Sequence, residues 1–326
     1  MGVVARVDEY QRRHRWAGLP LAVVYKFVDD QGAYLTALIT YYGFVSLFPL
    51  LLLLVTGLGF ALQGNPGLQQ RVLDSALAQF PVIGDQIGTN IHSFHGSILA
   101  LATGIVGSLY GGLGVVQATQ NALNKIWGVP RNSRPNPIAA RARSLLLLTA
   151  GGVVVLATTL PSAVTATGGL VGAGVRAAAI AVAVAINVVL FTVAFRILTA
   201  LPLTLAQVRT GAIAAALVWQ GLQWAGTFLL GHMLKGATAT YGMFGIVLGL
   251  LTWIYLGALT FVIAAEINVV RDQRLWPRSL LTPFTDKVDL TAGDRRAYTS
   301  YAETERHKGF ENVDVDFDPP PRDPRD

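Results

Sequence analysis

YGMFGIVLGLLTWIYLGALTFVIAAEINVVRDQR, residues 241–274, is the stretch that decides the fold class. From Met243 to Ala265 it carries no charge. At about 1.5 Å per residue, a helix of that length crosses the ~30 Å hydrocarbon core of a bilayer. Glu266, Asn268, Arg271 and Arg274 follow at its end, and the next acidic residue towards the N-terminus is Asp85. A lone carboxylate closing an apolar span is costly unless paired, so Glu266 is a candidate site residue. The basic residues expected to pair with it are Arg196, Arg209, Arg141 and Arg143. The alternative is a carboxylate that reaches the headgroups and faces water.

Composition points the same way. Hydrophobic residues make up 52% of the chain and charged ones 13%, too little charge to cover a soluble domain of this length. The absence of cysteine excludes disulfides, thiol nucleophiles and Cys-ligated metals. No signal-peptide pattern precedes the first apolar run, which is interrupted by Asp8, Glu9 and the QRRHR cluster.

Taken in order, residues 1–30 form a basic cytoplasmic or interfacial segment. Within it LPLAVVYKF is suited to lie along the membrane surface. Asp29 and Asp30 stand where they would cap the next helix. Apolar runs at about 33–62, 96–120, 144–166, 170–201, 208–230 and 243–270 predict an all-α protein with six transmembrane helices across residues 31–278. Lys and Arg concentrate before the first run, in the loop after the second and in the tail, which predicts both termini in the cytoplasm. Residues 67–80 have the spacing of an amphipathic surface helix. Residues 279–326 are polar and are expected to be disordered.

Several polar and small residues interrupt these runs. Tyr42 and Ser46, four apart, share a face of the first, and Pro49 removes its hydrogen bond to the Val45 carbonyl. Gly107 and Gly111 form a small-xxx-small step that lets another helix approach closely. Gln117, Asn121 and Asn124 continue as an amide stripe, which either joins helices or lines a polar cavity. Arg131, Arg134, Arg141 and Arg143 follow in a loop with no acid, and Arg196 and Arg209 are expected near the same membrane face.

Three of these motifs, in this order, resemble the YihY/BrkB family of bacterial inner-membrane proteins. They are YYGFVSLFPLLLL from Tyr41, ALNKIWGVPR from Ala122, and LTWIYLGALTFVIAAEIN ending at Asn268. The resemblance spans roughly residues 15–280 and implies a multi-pass membrane protein. Ala264 stands where that family usually has Gly. The family has at times carried a ribonuclease label, but the five histidines are scattered and no paired carboxylates, serine elbow, zincin motif or nucleotide loop is present.

The reading is therefore a non-enzyme without cofactor or metal: His92 and His95 are three apart but lack a third ligand. It handles an anionic lipid or amphiphile as a transporter or flippase-like protein. Its expected contacts are Arg131, Arg134, Arg141, Arg143, Arg196, Arg209, Gln117, Asn121, Asn124 and Glu266. The alternative is a structural or adaptor protein that binds partner transmembrane helices or a second copy of itself. The basic loops face anionic lipid before nucleic acid, so no nucleic-acid partner is expected.

Overall fold

In the computed structural model of the chain, residues 3–61, 67, 98–134 and 173–318 are described. For parts of the helices, notably 48–61 and 227–243, the description covers the backbone alone. The described residues are helical: α1 (Val3–Arg13), α2 (Arg15–Asp29), α3 (Gly32–Ala61), α4 (Ile98–Ile126), α5 (Ala173–Leu198), α6 (Leu205–Asp272) and α7 (Ala292–Thr304). A 3₁₀ turn, Arg131–Ser133, follows α4.

The N-terminal segment forms two helices because His14 is extended and interrupts the ladder. α2 buries Ala22, Val23, Tyr25 and Lys26. It ends at Asp30, whose backbone N–H closes the last turn, and Gln31 then takes a positive φ of 59°. Asp29 and Asp30 therefore end α2 instead of capping α3. Gly32 starts α3 because a methyl group there would stand 2.3 Å from the Phe27 ring.

α3 and α4 pack with almost no space between their backbones. A methyl on Gly111 would lie 2.6 Å from Ser46 Cα, and one on Gly114 would lie 2.2 Å from the Tyr42 ring. Tyr42 and Ser46 thus present the face that rests on the glycines of α4. Gly107 is half-buried on the same helix. Pro49 lies in the part of α3 given as backbone alone.

α6 is one helical run by hydrogen bonding but not one straight rod. Gly211 N donates to Asn268 Oδ1 at 2.6 Å, and Gln207 Nε2 to Asp272 Oδ2 at 2.9 Å. Residues so far apart in a straight helix would be separated by roughly 80–100 Å. The chain therefore reverses between Trp219 and Trp253, whose rings are 6.0 Å apart, and gives two antiparallel arms. That interval contains the GHMLKGATATYG connection. α5 packs on the second arm through Phe195 and Phe261, with ring centres 4.8 Å apart.

The six-span expectation is corrected here. Among the described residues, two helices are long and apolar enough to cross a membrane: Ile180–Leu198 in α5 and Val247–Asp272 in α6. In α3 the side chains are described only to Leu47, and Gly32–Leu47 is an apolar stretch shorter than a span. The expected run at 144–166 and the surface helix at 67–80 lie outside the described residues, Gly67 excepted. With the span count goes the inference that both termini share the cytoplasmic side. The polar tail also departs from expectation, because α7 folds within it.

The glycine contacts give a direct test. Gly111→Ala should destabilise the protein by about 1–3 kcal/mol through overpacking against Ser46. Gly221→Ala, with nothing near its added methyl, should be neutral or stabilising by about 0.5–1 kcal/mol. Thermal melting of the two variants in detergent reads the contrast, and equal melting temperatures would contradict the packing.

Candidate functional site

The site is built where the end of α2, the end of α4, the last turns of α6 and α7 meet. Lys26, Asp30 and Glu266 are buried there, with side-chain exposures of 2%, 2% and 0%. Lys26 and Asp30 are four apart on the last turn of α2 and pair through Nζ and Oδ2. The same ammonium donates to the Ile126 carbonyl of α4 at 3.0 Å and lies 3.8 Å from Glu266 Oε2. It also sits 5.3 Å from the centre of the Tyr301 ring of α7, a cation–π distance.

A second buried charge group stands beside the first. Arg278 Nε donates to Asp294 Oδ1 at 2.5 Å, and Nη2 donates to Asp29 Oδ2 at 3.2 Å. Asp294 also accepts from Ser279 N at 3.0 Å and Thr291 N at 2.9 Å, so it caps α7 while holding the arginine. Tyr301 Oη donates to Asp29 Oδ2 at 3.1 Å and links the two groups. Burial pushes the Tyr301 phenol well above its ordinary value, with the charges of Asp30 and Asp29 adding to the shift.

The N-terminal helices close this arrangement from outside. Gln11 Nε2 donates to the Arg278 carbonyl at 2.6 Å, Tyr25 Oη to the Leu280 carbonyl at 2.7 Å, and Leu280 N to Asp8 Oδ1 at 2.8 Å. α1, α2 and α7 thus form one clasp around the end of α6. The residues after Arg278 fold because Asp294 pairs with Arg278, and Tyr301 and the backbone at Leu280 bond to the N-terminal helices.

Among the described residues, those expected to form the site are not seen to pair with one another. Glu266 meets Lys26, and none of Arg196, Arg209, Arg141 or Arg143 is seen to pair with it; Arg141 and Arg143 lie outside the described residues. Arg131 pairs with Glu305 on the surface at 2.7 Å. Arg134 and Arg196 donate to the carbonyls of Val129 and Leu203, at 3.2 and 2.8 Å. Arg209 is exposed. The amide stripe divides: Gln117 is half-buried, Asn121 is exposed, and buried Asn124 accepts from Ala200 N at 2.8 Å, joining α4 to the end of α5.

Lys26, Arg278, Asp294 and Tyr301 were missed by sequence reasoning. The signal for Lys26 was its i,i+4 spacing to Asp30, which is also the spacing of an ordinary surface pair. Among the described residues no group of three or more His, Asp or Glu side chains could hold a metal ion, and His92 and His95 lie outside them.

The other feature at the end of α6 is a furrow between its two arms, with a volume of about 220 Å³. Ala214, Val218 and Leu222 line it on the first arm, and Leu256, Ile263 and Ile267 on the second. One turn beyond Ala214 and Ile267, the exposed Arg271 donates through Nη1 to Thr210 Oγ1. Asp272 beside it is bonded to Gln207.

Comparison with known proteins returns one family: the model described as virulence factor BrkB matches residues 23–285. No curated protein and no solved structure matches the chain.

The two kinds of ion pair make opposite predictions. Arg278→Met leaves Asp294 as a buried carboxylate without its cation and should cost about 3–5 kcal/mol. Arg131→Met breaks an exposed pair and should cost about 0–1 kcal/mol. Trypsin should cut after Arg295 and Arg296 in α7 sooner in the first variant than in the second. Equal cutting rates would mean that Arg278 does not hold the clasp.

Proposed function

Because the chain belongs to the virulence factor BrkB family, which supports a membrane-associated role, we propose that it binds and moves an anionic lipid or amphiphile in the inner membrane. The observation that carries this reading is the largely apolar furrow of α6, with Arg271 one turn beyond its last lining residue, Ile267. A pocket that encloses a whole drug-sized ligand runs to about 300–1,000 Å³, so a furrow of this size suits one segment of an acyl chain. An anionic headgroup then reaches Arg271, with Arg209 adjacent to Thr210 on the first arm. The two sides of the furrow follow i,i+4 rows, Thr210–Ala214–Val218–Leu222 and Ile263–Ile267–Arg271, so chain and headgroup positions lie along one line.

The membrane setting supports the reading in a second way. α5 exposes Ile180, Val182, Ile186, Val189 and Val193. Such a surface is favourable against lipid and unfavourable against water. The apolar furrow lies beside the second candidate span, so a chain enters it from the hydrocarbon region without crossing a polar barrier.

Protein purified into vesicles with a labelled anionic lipid tests the proposal. The wild type should retain anionic lipid through purification and change its sidedness in the vesicles. Arg271→Glu should lower retention about tenfold, as expected when roughly 1.4 kcal/mol of headgroup attraction is lost. Ala214→Trp should fill the furrow and block both effects. Retention and sidedness unchanged by both variants would defeat the proposal, and capture of a fixed partner helix under those conditions would favour an adaptor.

A further inference from the structure

We infer that Asp30 and Glu266 together hold one exchangeable proton beside Lys26, which makes the junction of α2 and α6 a buried proton-binding site. The inference begins with charge. One ammonium faces two carboxyl groups, all at 2% exposure or less. With both carboxyls ionised the group would carry an uncompensated negative charge in a place without water contact. Burial of that kind is opposed strongly.

Donor geometry says the same independently. Lys26 directs its hydrogens to Asp30 and to the Ile126 carbonyl, and Glu266 Oε2 at 3.8 Å is beyond a hydrogen bond. Among the described residues no N–H or O–H donor reaches either oxygen of Glu266. The Asp30 carboxyl, paired with the same ammonium, is the neighbouring group that can share a proton with it. Two carboxyl groups can bond each other only when one of them bears a proton. A single proton therefore supplies the missing donor and neutralises the group in one step. An alkali ion would also balance the charge, but the ammonium already occupies the point on which the carboxyls converge.

The surroundings fix the sign of the pH response. Facing the pair are Lys26 and Asp29 from α2, Lys125 from α4 and Tyr301 from α7, with Arg278 and Asp294 beyond Asp29. Burial pushes the Asp30 carboxyl up from its ordinary value, and Lys26 opposes that shift. A group raised in the folded state contributes stability that is complete at acid pH and is lost as pH rises through its folded value. Loss of the proton would leave one carboxylate unbalanced between α2 and α6, so it weakens the clasp where the N-terminal helices dock.

Infrared spectroscopy of the full chain in lipid nanodiscs tests this, together with thermal melting across pH. At neutral pH the wild type should show the carbonyl band of a buried protonated carboxyl group. Glu266→Gln, which keeps a donor and removes the charge, should lose that band and melt within a few degrees of the wild type. Its melting temperature should also lose the wild type's fall at alkaline pH. Absence of the band from the wild type overturns the inference, whether or not the variant folds. So does a variant that melts far below the wild type at neutral pH, the behaviour of an ionised Glu266 paired with Lys26. A melting temperature raised by sodium or potassium over choline at constant ionic strength, without the band, would assign the site to an alkali ion and also overturn it.

Discussion

A lysine closed away from water must keep its counter-charge, and the lower part of this fold follows from that requirement. Lys26 is held by Asp30 of its own helix and by a carbonyl at the end of α4, with the Glu266 carboxyl at the end of α6 3.8 Å away. Separating α2 from α6 would expose Lys26 to a partial set of partners or leave Glu266 alone in an apolar setting. Either outcome costs several kcal/mol, far more than any surface ion pair of the chain contributes. The packing of Ala22 and Val23 against the bundle supplies the apolar part of the same contact.

The second charge group extends that constraint to the C-terminal side. Arg278 cannot be buried without Asp294 and Asp29, and these lie on α7 and α2. Asp294 serves at once as ion-pair partner and as the cap of α7, so forming the helix and burying the arginine are one event. Above this polar clasp the molecule changes character. α5 and the arms of α6 offer apolar surface and a narrow furrow, while the exposed arginines stand at the boundary between the two regions. A clasp that holds or frees the end of α6 also acts on Arg271 and Thr210, which belong to that same end.

The features legible in the sequence were those with local causes. Helix was readable in the apolar runs that became α3 to α6, because uninterrupted apolar residues with small ones among them leave little alternative. Glu266 was conspicuous as a carboxylate in an apolar span. The Tyr42–Ser46 face and the glycines of α4 were each recognisable from spacing, although their mutual contact needed the tertiary structure. What escaped depended on distant partners. Lys26 looks like any interfacial lysine until α4 and α6 remove its water. Arg278 and Asp294 sit in a tail whose composition is that of unstructured chain, and their burial depends on pairing with each other and with Asp29 of α2. The count of six spans is overturned differently: among the described residues two helices, Ile180–Leu198 and Val247–Asp272, are long and apolar enough to cross a membrane.

The coupling between Lys26 and Asp30 tests the central claim most directly. Thermodynamic stability in detergent should be measured for Lys26→Met, Asp30→Asn and the double variant. If the pair is a buried ion pair on which the α2–α6 junction depends, each single change leaves an unpaired polar or charged group and costs about 3–5 kcal/mol. The double change should then cost less than the sum by about 2 kcal/mol or more. Single effects below about 1 kcal/mol that add within about 0.5 kcal/mol would place both groups in water and contradict the account.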